Sequence, residues 1–164
     1  MSNNTVSGSV GYTRPAGALE AHIGLDTARK RRIDLRQAME RLENRVARPS
    51  ATGSWRADVE AALFELGEAL DAHISEVENE GGLLVTIVTD APRLAGRAAE
   101  MRAEHDELRA GYYRAMAACS EHGKLDPTLV RRRVTSLLGR IALHRQLGSE
   151  LVFDAYNVDI GDGD

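Results

Sequence analysis

Three histidines, His73, His105 and His144, each take the place of an apolar residue on the inward stripe of a different predicted helix. A neutral imidazole is a good ligand for iron, zinc or copper, and helical bundles assemble such sites from side chains on facing helices. Their heights can be compared from the end at which the second helix starts, the third ends and the fourth starts. His73 stands 18 residues from Trp55, His105 17 from His122 and His144 17 from Pro127. At about 1.5 Å per residue, the three rings are expected within a few ångströms of one level.

Carboxylates complete metal sites of this kind. Glu76 follows His73 by three residues, which places it close to the same helix face. It is the carboxylate expected to join the histidines. Glu104 and Glu107 flank His105 less favourably, while Glu78 and Asp106 read as solvated. His22 falls before the expected start of the first helix, and His122 at a helix end, where a cation suits the dipole; neither reads as a ligand. One histidine on an apolar stripe is usually a hydrogen-bonded core residue, and for each of the three alone that alternative stays open. Arg32 interrupts the stripe of the first helix, 17 residues from Pro49 at the same bundle end, so it should approach the level of the histidines. A guanidinium there can pair with Glu76 in the electrostatic place of a metal. Alternatively it extends outward along the seam into solvent.

The elements that must position these groups are helices. Aromatics make up 4% of the 164 residues while Ala, Leu, Arg and Glu dominate, a composition that favours helix over sheet. Residues 1–20 are rich in Ser, Asn and Gly and read as a mobile lead-in. The first helix is expected from Leu25 to Ala47, on a stripe of Leu25, Ala28, Arg32, Leu35, Met39, Leu42 and Val46. "RPSATGS" ends it, and the second starts at Trp55 with Ser54 as N-cap and the stripe Val59, Ala62, Leu63, Leu66, Leu70, His73, Val77. "LLVTIV" reads as a short helix or a strand-like run over the bundle end. Pro92 opens the third long helix, with the stripe Leu94, Ala98, Met101, His105, Leu108, Tyr112, Met116 and Gly123 as its stop. Asp126 and Pro127 start the fourth, whose stripe is Val134, Leu137, Ile141, His144, Gly148, Leu151, Ala155. The expectation is an all-α, up-down-up-down four-helix bundle over residues 21–160, with an acidic tail at 161–164.

This pattern resembles the hemerythrin-like, or HHE cation-binding, family over residues 25–160. The resemblance rests on "HISEVE", "AEHDEL" and "HRQLGSEL" and on the order and lengths of the helices. It implies a bundle that holds iron between its helices, with His73, His105 and His144 as ligands. The departures from the family pattern imply a reduced site. No histidine lies between Leu25 and Ala47, Val77 stands four residues after His73, Arg109 four after His105, and Gly148 four after His144. A full di-iron set cannot be assembled, so at most one metal is expected, on His73, Glu76, His105 and His144. Iron is the first choice and zinc the alternative.

The net charge of −4 speaks against a dedicated nucleic-acid or membrane-surface protein. The "RKRR" run at Arg29–Arg32 reads as a solvated helix face. A lone Cys119 excludes an internal disulfide and suits a reducing cytoplasm, where the chain is expected. No Gly-rich phosphate loop precedes a helix, no nucleophile with its base follows from spacing, and no enzymatic activity is predicted. The expected function is a cation-binding protein that senses or binds oxygen or another small oxidant. The alternative is a metal-free bundle that keeps the fold as an interaction module. A homodimer is compatible with either.

Overall fold

The computed structural model describes residues 16–120 and 125–156. Residues 1–15 of the lead-in expected over 1–20, the stop at Gly123, His122 and the acidic tail lie outside them, while residues 16–20 of that lead-in are helical. Among the described residues there are helices and turns but no strand. They are α1 (Ala16–Val46), α2 (Trp55–Glu78), a short α3 (Leu83–Asp90), α4 (Ala95–Ser120) and α5 (Pro127–Tyr156), with a 3-10 turn at Pro92–Leu94 leading into α4. The four long helices form a bundle in which α1 packs on α2, α2 on α4, α4 on α5 and α5 on α1. Side-chain pairs fall on one helix as they rise on the next. Arg41 meets Glu65 at 2.7 Å and Arg48 meets Asp58 at 3.8 Å.

The helix boundaries follow local chemistry. α1 begins at Ala16, earlier than the expected Leu25, because Ala16, Ala18, Leu19, Glu20 and Ala21 are strong helix formers that outweigh Gly17 once the Ser/Asn/Gly-rich run ends. His22 therefore lies on a helix. Ser54 does not cap α2; its hydroxyl contacts Asp58 Oδ2 at 3.2 Å instead. Asp126 does cap α5, its Oδ1 accepting from the backbone N–H of Thr128 at 2.9 Å and of Leu129 at 3.2 Å, with Pro127 at the first position. "LLVTIV" is helical and presents Leu84 and Ile87, three apart, to the core. Gly82 precedes it where a Cβ would lie 2.6 Å from the carbonyl oxygen of Val77, so only glycine permits this close return of the chain. At the far end, Arg131 donates to the carbonyls of Val46 and Arg48 and stacks its guanidinium 5.0 Å above the Trp55 ring. One side chain thereby ties the end of α1 to the starts of α2 and α5.

The core is divided. One apolar cluster contains Leu35, Leu42, Leu63, Leu66, Leu70, Leu108 and Ile141; the other, under α3, contains Val77, Leu84, Ile87, Ala98, Met101 and Leu151. On α4 and α5 a buried histidine stands between members of the two clusters, and on α2 His73 stands beside Ile74, the last residue of the first cluster before Val77 of the second. The predicted stripes of α2 and α5 hold closely. That of α4 drifts after Leu108, where Gly111, Ala115, Ala118 and Cys119 are buried while Tyr112 and Met116 are only half-buried. Small residues at those positions admit Tyr112, whose ring fills the place a Cβ on Gly67 would take.

Candidate metal centre

Leu70 and Ile74 seat α2 in one cluster and Val77 in the other, which holds His73 inward between them. Met101 and Leu108 do the same for His105, and Ile141 and Leu151 for His144. The three side chains are 6%, 1% and 2% exposed. One ring nitrogen from each lies within 4.8 Å of the other two, and the rings meet edge to face. The common level inferred from residue counting is thus observed.

Two of the rings are oriented by carboxylates. His105 donates its Nδ1–H to Glu78 Oε1 at 2.6 Å, and His144 donates its Nδ1–H to Glu104 Oε2 at 2.8 Å. A carboxylate accepts and does not donate, so each ring carries its proton on Nδ1 and leaves the Nε2 lone pair free. Those two Nε2 atoms face each other at 3.2 Å. Two nitrogens sharing one tetrahedral ion at about 2.0–2.1 Å would stand about 3.3 Å apart. In neutral rings nothing else bridges the two lone pairs, and the pair calls for a proton or a cation between them. His73 completes the group; its Nδ1 is buried with no hydrogen-bond partner. Burial, and then the positive character of His144, His105, Arg32 and Arg145, pushes its pKa down to about 3, so it is a neutral donor at physiological pH. Burial also lowers His144, against the opposing pull of Glu104.

The carboxylates and Arg32 stand differently from the sequence expectation. Glu76 is half-buried, and the ligand atoms that converge within 4.8 Å are those of the three histidines. Glu78, expected in solvent, lies one turn beyond buried Ile74 and reaches across to α4. Glu104, placed three residues after Met101 and four before Leu108, crosses to α5 in the same way. Arg32 is at the level of the histidines as expected, yet it makes no ion pair with Glu76 among the described residues. Its pKa is lowered by burial and then by the charges of Arg145 and Arg29.

Beside the histidines lies a cavity of about 30 Å³. Its walls are the three rings, Arg32, Arg145 and apolar side chains that include Leu84, Ile87 and Met101. A space of this size holds a water or two, or a diatomic molecule. No helix among the described residues is long and apolar enough to cross a membrane. Compared with models of known protein families, with curated proteins and with solved structures, the chain matches none.

Proposed function

We propose that the chain is a metal-binding bundle of up-down-up-down, hemerythrin-like plan that holds one transition-metal ion on His73, His105 and His144. Iron is the first candidate and zinc the alternative. The single observation that carries this reading is the pair of carboxylate-oriented rings whose free Nε2 atoms converge to 3.2 Å. Outer carboxylates of this kind fix the tautomer of ligating histidines and raise their basicity. A neutral His73 gives its lone pair without first losing a proton. With three protein nitrogens, the ion supplies a Lewis-acidic centre that retains room for a small molecule such as oxygen or another small oxidant. The adjoining cavity suits a ligand of that size. Sensing or binding fits this arrangement better than turnover, because no further acid or base lines the cavity besides the rings.

A second reading has its own observation. Arg32 and Arg145 face the same cavity, and their charge opposes a dication there. A bundle that keeps the histidines as a hydrogen-bonded polar layer, with a partner-binding role, would tolerate them. Elemental analysis of protein purified without a metal-affinity tag separates the two. Near-stoichiometric iron or zinc, lost in His105→Ala, is the expected result. Protein that is metal-free and refuses added iron and zinc would leave the second reading standing.

A further inference from the structure

Two opposite sides of the bundle are unlike in charge and in shape. α2 and α4 form one side, with five arginines against eleven carboxylates, a net −6; α1 and α5 form the other, with twelve basic side chains against seven carboxylates, a net +5. The acidic side also carries two aromatic knobs, Phe64 on α2, 59% exposed, and Tyr113 on α4, 65% exposed. Both flank the seam between these helices, where Glu60 meets Ser120 and Gly67 faces Tyr112, whose ring lies 5.3 Å from that of Tyr113. The basic side is hollow. Between α1 and α5 runs a groove of about 500 Å³, walled by Arg36, Met39, Thr135, Leu138, Gly139 and Arg145. Glu40 and Glu43 line it as well, Glu40 in an exposed pair with Arg36 at 3.7 Å, which contributes little. Glycine weakens a helix interior, yet a Cβ added at Gly139 would meet nothing within 4 Å among the described residues. Its own fold does not call for glycine there, whereas an incoming side chain would.

From this we infer that the protein associates head to tail with further copies of itself, the aromatic ridge on α2 and α4 of one copy seated in the groove between α1 and α5 of the next. Charge complementarity selects a second copy placed in this way, acidic side on basic side. A twofold pairing of the α2/α4 sides would instead set −6 against −6. The levels agree with the seat. Glu65 meets Arg41, so Phe64 stands level with Leu42 of α1, and Glu107 meets Arg140, so Tyr113 stands level with Val134 of α5. A copy stacked in the same orientation therefore carries Phe64 towards Met39 and Tyr113 towards Thr135 and Gly139 of its neighbour. Glu68, one turn on from Phe64, approaches Arg36, and Asp106 approaches Arg145. Because ridge and groove are different surfaces, each added copy leaves one of each free, and the assembly grows rather than closing as a dimer. The inference does not depend on what the histidines hold.

The test measures the mass of the full chain by sedimentation and light scattering over a concentration series at low and at high salt. At low salt the average mass is expected to rise with concentration past twice the monomer's 17.9 kDa, and at high salt to fall back to it. Two variants then separate the surfaces. Phe64→Asp spoils the ridge and keeps the groove, while Gly139→Glu fills the groove and keeps the ridge; both positions are exposed, and native helicity is checked in each. Either variant alone is expected to stay monomeric. An equimolar mixture is expected to form a one-to-one dimer and nothing larger, because one intact ridge and one intact groove remain between them. A parent chain that stays monomeric at low salt overturns the inference. So does a closed dimer that mixing fails to restore, which marks a twofold contact, or association undiminished in the folded variants.

Discussion

His105 is engaged at both ends of its ring, with Nδ1 on Glu78 and Nε2 towards His144. The outer carboxylate would therefore act on a metal held there without touching it. Replacing Glu78 by Gln keeps the shape and removes the acceptor charge. Metal affinity, measured by competition with a chromophoric chelator, is expected to fall about 10–100-fold. Glu78 is about one-third exposed, so the melting temperature of the metal-free protein should scarcely move. At this scale the sequence was only half legible. The histidines stood out because each breaks an apolar stripe, whereas Glu78 and Glu104 are ordinary polar positions on their own helices. Their function arises across an interhelical gap that no spacing within one helix encodes.

α3 is the element that closes the cavity, through Leu84 and Ile87. Its position depends on Gly82, where an added Cβ would fall 2.6 Å from Val77 O and 2.8 Å from Glu76 O. Backbone cannot step aside as a side-chain tip can. Gly82→Ala is therefore expected to push α3 off the end of α2 and open the cavity to water, with little loss of helix. Hydrogen exchange over residues 83–90 should accelerate while α2, α4 and α5 keep their protection, and unchanged exchange there would count against the argument. The long helices were legible from their stripes and from Asp126 and Pro127. The helical state of "LLVTIV" was not, because a short apolar run of β-branched residues suits either state until its neighbours decide. The early start of α1 was hidden by Gly17 within its first turn and by the Ser- and Gly-rich run that precedes Tyr12.

Taken whole, the molecule has two apolar clusters separated by a histidine layer. That layer is expensive without a metal, most of all at His73. Its ordinary pKa of 6.5 in the unfolded chain drops to about 3 in the folded one, chiefly through burial. Between those values the unfolded chain binds more protons, so stability is full above about pH 6.5 and declines as the pH falls towards 3. For the metal-free protein, Tm should fall with acidification across this window, by about 2–4 °C for each kcal/mol lost. His73→Leu should flatten that slope and raise Tm at neutral pH, since it removes an unmatched polar group; a slope as steep as the parent's would show that other groups set it. The layer has one more consequence, for assembly. Sliding any one of α2, α4 or α5 by a single turn, about 5.4 Å, would set its imidazole against an apolar cluster and bring an apolar or small residue (Leu70 or Val77, Met101 or Leu108, Ile141 or Gly148) to the level of the other rings. The histidines are in this sense an alignment key that favours the observed register over its one-turn neighbours.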